Sequence, residues 1–114
     1  MTPTLRTVIK KIYKRTEELR RGFFVDNDWT GVRKVIDEIG TVIAEFNSKY
    51  NDNYECVLVN AAYCTSSDNT AIWKEYKLML TDKKHNEVRY GVINCCAAGT
   101  IKDPFLKYDI CLCL

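Results

Sequence analysis

The residues of this chain best equipped for chemistry are its cysteines, its histidine and a short run of aspartates. Cysteines stand at 56, 64, 95, 96, 111 and 113, and His85 is the only histidine. Cys95, Cys96, Cys111 and Cys113, with His85 as a further donor, are the candidates for a soft metal ion. Structural zinc sites place a turn between two cysteines so that both sulfurs converge. Adjacent Cys95 and Cys96 on a strand point to opposite faces, and neither cysteine pair lies in a turn. The sequence therefore predicts no metal and no cofactor. The closing "CLCL" also has the form of a prenylation signal, which would place a lipid on Cys111. Tails of that kind are flexible and flanked by basic residues, whereas "YDICLCL" alternates as a strand and holds Asp109. Packing is the reading that fits. Cysteine behaves as a small hydrophobe, and all six fall in predicted strands.

The stretch "DNDWTGVRKVID" sets Asp26, Asp28, Thr30, Gly31 and Asp37 at five positions of an EF-hand loop. Its last position needs the longer, bidentate Glu and has Asp. Arg33 and Lys34 also bring positive charge into the loop. The run reads better as an acidic helix start. Catalysis is equally poorly served. His85 lies in "DKKHN", a charged turn, and a general acid or base needs a positioned partner. Ser66 and Ser67 occupy another turn, with no second histidine to activate them. The five glycines form no phosphate-binding pattern. Glu55, Glu75 and Asp109 occur singly on strands. The expectation is a protein that is not an enzyme.

The elements that position these residues divide near residue 52. Thr2 before Pro3 reads as a helix start, with proline at the first helical position. Leu5, Val8, Ile9, Ile12, Thr16 and Leu19 then recur at three and four residues, one face of an amphipathic helix that Gly22 ends. After the connector "FFVDND", Trp29, Val32, Ile36, Ile39, Ile43, Phe46 and Tyr50 form a second stripe, widened by Val35 and Val42. Gly40 inside it is expected to admit another element at close range, because a mid-helix glycine otherwise costs about 1 kcal/mol. "NDN" at 51–53 stops this helix.

Four strand-like runs follow, at 54–65, 70–81, 87–98 and 105–114, joined by "SSDN", "DKKHN" and "GTIKDP". Short turns between successive runs predict an antiparallel meander. The fold class is α+β: one domain over 1–114, with a helical half (1–50) packed on one face of a four-stranded sheet half (54–114). This ααββββ order is similar to the cystatin-like and NTF2-like layouts, which carry enzymes, ligand pockets and interaction modules alike.

Charge is uneven over the 114 residues. The net charge is +2, yet residues 1–21 hold seven Lys/Arg against Glu17 and Glu18. Arg6, Lys10, Lys14 and Arg21, with Lys11 beside them, line one stripe of the first helix, which Glu17 dilutes. Such a stripe can neutralise phosphates without reading sequence, so nucleic-acid binding through it is the alternative function. The opening residues lack the apolar run of a signal peptide, and no stretch approaches the ~18 apolar residues of a membrane span. Both point to a cytoplasmic protein with reduced cysteines and no membrane partner.

The aromatic residues carry the first functional reading. Phe23 and Phe24 fall in the interhelix connector. If helices cover one sheet face, Trp73, Met79 and the row through Val57, Val59 and Tyr63 occupy the other. Apolar surface left open there would mark an interface. The expectation is a small non-catalytic protein-binding module, in the manner of an inhibitor, an immunity protein or a phage-encoded antagonist. Its partner would be another protein, or a second copy docked sheet to sheet. A third reading places a small-ligand pocket or an active site between helices and sheet.

Overall fold

The computed structural model describes residues 2–21, 30–65, 72–97 and 108–114. Within these, only the backbone is described for 20–21, 30–31, 63–65, 72–74, 95–97 and 108–109. The element order is α1 (Leu5–Arg21), α2 (Thr30–Tyr50), β1 (Tyr54–Thr65), β2 (Ile72–Asp82), β3 (Glu87–Ala97) and β4 (Tyr108–Cys113). The strands form one antiparallel sheet in the order β1-β2-β3-β4. Both helices lie on one face of it, as the alternation and the helical stripes predict.

The core is built from matching stripes. Leu5, Val8, Ile9 and Ile12 of α1 and Val32, Val35, Ile39, Val42 and Ile43 of α2 are buried. They meet Tyr76, Leu78, Leu80, Ile93, Ile110 and Leu112 of the sheet. Thr16 replaces an apolar residue in the α1 stripe at no polar cost, since its hydroxyl donates to the Ile12 carbonyl at 2.8 Å. Arg15 ties the helices together on their outer side, donating to Glu38 at 3.1 Å and to both carboxylate oxygens of Glu45 at 3.0 and 3.2 Å.

Two local expectations are corrected. The first helix is capped one residue pair later than "TP" suggests. The Thr4 carbonyl accepts from Val8 N–H, and the helix begins at Leu5. The Pro3 carbonyl is taken instead by the Tyr54 hydroxyl, and Thr2 Oγ1 accepts from Lys84 Nζ. Those bonds pin the chain start to the sheet and keep it out of the helix. Gly40 admits no neighbour: it is exposed, and a Cβ there would meet nothing within 4 Å. The close approach is at Gly91. A Cβ there would collide with Leu114 Cδ2 and come within 2.9 Å of the Cys113 carbonyl oxygen. As for "NDN", Asn51 and Asp52 end α2 by taking left-handed conformations, φ 59° and 55°, which these two residue types tolerate best after glycine.

A candidate interaction face and a polar corner

Alternation along each strand separates the sheet into a covered face and an open one. Antiparallel partners share a face, so the register fixes the open rows. Val57 pairs with Met79 and Met79 with Tyr90; Lys77 pairs with Val92 and Val92 with Cys113. Val88 adjoins Tyr90 two residues along. Exposure follows: Val57 is 37% exposed, Val88 50% and Tyr90 71%, while Leu78, Leu80 and Ile93 beneath the helices are at most 2%.

A bulge between Leu58 and Asn60 interrupts the β1–β2 ladder. Val59 is the unpaired residue of the bulge, 53% exposed beside the open face, and Leu58, in register with Leu78 on the covered face, is 47% exposed because β1 is an edge strand. Every exposed large hydrophobic among the described residues therefore lies on β1 or β3, and none on a helix. A shallow trough of about 550 Å³ crosses this region, walled by Val59, Lys77, Tyr90, Val92 and Cys113.

The sequence-predicted residues distribute unevenly over this surface. Met79 lies in the Val57–Tyr90 row and is half-buried between its neighbours. Trp73 stands in register with Cys64 and Cys96; its side chain lies outside the described ones. Tyr63 falls opposite Lys74 and out of the Val57 row, because the bulge moves the alternation of β1 by one residue. Phe23 and Phe24 lie outside the described residues. Tyr90 and Val88 were legible only once the covered face was known, since "EVRYGV" alternates with Val88, Tyr90 and Val92 as its apolar parity, which read alone would be the buried one.

The tail is the edge strand that "YDICLCL" predicts. Ile110 and Leu112 face the helices, and the Leu114 N–H donates to the Tyr13 hydroxyl at 2.7 Å. Its cysteines are not packing residues, however. Cys111 and Cys113 are exposed on the open face. Cys56 is half-buried against the core, and burial pushes its thiol up. Among the described residues no cluster of three or more histidines, cysteines or carboxylates suits a metal ion. The calcium reading also fails on its described half, because Thr30 to Asp37 is helical and buries Val32 and Val35.

Of the basic stripe, Arg6, Lys10 and Lys14 are exposed along α1, with no ion pair among the described residues. Lys11 is half-buried toward α2. Arg21 has no described side chain.

The one polar cluster with catalytic residue types sits at a corner of the sheet. Asp82 is fully buried at the end of β2, and one of its oxygens lies 2.7 Å from His85 Nδ1. The other accepts from Asn53 Nδ2 at 2.7 Å and from the His85 N–H at 3.0 Å. Burial pushes this carboxyl up, but the bonds from the His85 backbone, from Asn53 and from the His85 ring outweigh it and hold it below the usual carboxylate range. Asn53 in turn accepts from the Lys84 N–H and its carbonyl from the Lys83 N–H. Asn47 clamps the next residue, donating to the Tyr54 carbonyl at 2.9 Å and accepting from the Tyr54 N–H at 2.8 Å. So the turn histidine is not freely solvated; "D-x-x-H" across a two-strand turn was the available signal. Asp82 and His85 resemble an oriented acid–base pair, but no described hydroxyl or thiol bonds the ring, and both oxygens of Asp82 are spent on the turn. The corner's work is to lock the β2–β3 turn to the end of α2.

Among the described residues no helix is long and apolar enough to cross a membrane. No family model, curated protein or solved structure matches the chain. The likeness to cystatin-like and NTF2-like proteins thus rests on element order alone.

Proposed function

We propose that this protein is a non-catalytic protein-binding module that works through the open face of its sheet. The observation that carries the reading is the placement of exposed apolar residues. Val57, Val59, Val88 and Tyr90 gather on the open face, with Leu58 exposed on the covered side of the edge strand β1, while the described helix side chains expose none of their size. A patch of that kind, flanked by Lys77 and Glu55, suits a partner that offers an aliphatic strip with a charged margin. Strand spacing and rise give the four-stranded face roughly 600 Å². A standard interface takes about 800 Å² from each partner, so the occupant also reaches over the β1 edge at Leu58 and Val59.

A second copy of the chain is the first occupant to test. Sedimentation velocity over a micromolar concentration series should show self-association that Tyr90→Thr removes. If the chain stays monomeric, the partner is a different protein, captured from cell extract by wild type and lost with Tyr90→Thr and Val88→Thr, yet retained by Arg6→Ser on the helix side. Association or capture that ignores all three substitutions would contradict the reading.

A further inference from the structure

The start of α1 and the end of α2 lie side by side, and between them is a second hollow, of about 350 Å³. It is lined by Pro3, Thr7, Lys11, Glu45, Phe46, Lys49 and Tyr50. Its size reaches the lower end of small-molecule sites, roughly 300–1,000 Å³. Both Glu45 oxygens accept from Arg15 Nη1, a guanidinium that also serves Glu38, so this carboxylate is held by Arg15 and makes no ion pair with either lysine of the hollow. Lys11 and Lys49 have no ion pair among the described residues. Two ammonium groups without an ion pair therefore line one concavity against a single carboxylate that Arg15 already engages, and a charge there is screened less than on an open surface.

The wall beside them is aromatic and held in place. Phe46 stacks on Tyr50 with centroids 6.2 Å apart and planes 29° apart. On its other side it meets the edge of Tyr54 at 5.7 Å, and the Tyr54 hydroxyl is tied to Pro3. Tyr50 is half-exposed at the end of this stack. A fixed ring beside paired cations fits a ligand with an anionic group and a flat heterocycle. Outside the hollow, Lys10, Lys14 and Arg6 continue the positive charge along the exposed side of α1.

We infer that this interhelical hollow is a nucleotide subsite that takes one unit of a single-stranded nucleic acid, with the phosphate between Lys11 and Lys49 and the base stacked on Tyr50. Single-strand sites elsewhere combine the same two elements, a basic track and an aromatic platform. The inference is independent of the sheet face, which lies on the opposite side of the molecule.

The test is titration of a labelled short oligothymidylate and, separately, of adenosine monophosphate, at low salt and then across a salt series. Fluorescence anisotropy reads the first, and quenching of tyrosine emission reads both. The oligonucleotide should bind, with a log–log salt slope that falls by about 0.7 in Lys49→Gln, one phosphate contact on a single strand. Tyr50→Leu should weaken binding about tenfold and remove the quenching, and Tyr50→Phe should restore most of the affinity. Lys49 is exposed and bonds to no described residue, so its variant leaves folding intact. Binding of the oligonucleotide alone identifies a strand as the source, and binding of the mononucleotide alone identifies a free nucleotide; either supports the subsite. Failure of both probes at low salt would overturn it, as would binding that neither Lys49→Gln nor Tyr50→Leu alters.

Discussion

The two faces of the sheet are made of the same strands and differ in nearly everything else. On the covered face Leu78, Leu80, Ile93, Ile110 and Leu112 are almost fully buried, and Asp82 is the one buried charge among the described residues. On the open face Val57, Val88 and Tyr90 keep a third or more of their surface in solvent, among Lys77, Glu75 and exposed cysteines. A strand can serve both because successive side chains point opposite ways. The covered face is held by packing and tolerates little. The open face contributes little to folding, so its apolar residues are free to serve a partner.

Substitutions sharpen that contrast in order of expected size. Ile93→Ala, beneath the helices, should cost about 3 kcal/mol of unfolding free energy through transfer and cavity terms; a cost near zero would mean that the covered face is not packed. Asp82→Ala removes three bonds from a buried carboxylate and leaves Asn53 Nδ2 and the His85 N–H without their acceptor. It should cost about 2–3 kcal/mol, read by urea titration.

The same residue predicts an acid limb. Its folded carboxyl binds its proton less readily than an unfolded one, whose ordinary value is about 3.9. The stabilisation is therefore complete above that value and is lost as pH falls through the lower folded one. Asp82→Asn should flatten the dependence of stability on pH in that acid window. An unchanged acid limb would remove Asp82 from the account.

Gly91→Ala follows at about 1–3 kcal/mol, because the Cβ meets the Cys113 backbone and cannot be relieved by a rotamer change alone. Gly40→Ala goes the other way, a gain of about 1 kcal/mol from helix propensity with nothing to collide with. Thermal unfolding of the two glycine variants should move in opposite directions, and a matching shift would contradict the assignment of the close approach. Smallest is Tyr90→Thr, within about 0.5 kcal/mol of wild type, since threonine keeps the β preference and the side chain is mostly in solvent.

Element order, strand count and both helical faces were legible because the apolar periods of the chain are unusually regular. The α1 stripe from Leu5 and the Ile110, Leu112 alternation needed no tertiary information. What alternation could not supply was the bulge after Leu58, which depends on pairing with β2 and displaces Tyr63 from the Val57 row. Nor could it say which glycine is crowded, because Gly91 owes its neighbours to β4, returning from far along the chain. The Asp82–His85 pair was half legible, as a spacing without knowledge that Asp82 is buried. The hollow of Lys11, Lys49 and Tyr50 was missed altogether. Its parts lie at opposite ends of two helices, and only antiparallel packing brings them together.

The central claim is that the open face is functional surface and not unfinished core. It is tested most directly by measuring Tyr90→Thr twice on one preparation, for unfolding free energy and for association. The account predicts stability within about 0.5 kcal/mol of wild type together with loss of self-association or of the captured partner. A variant that unfolds several kcal/mol more easily, or one that associates as wild type does, would contradict it.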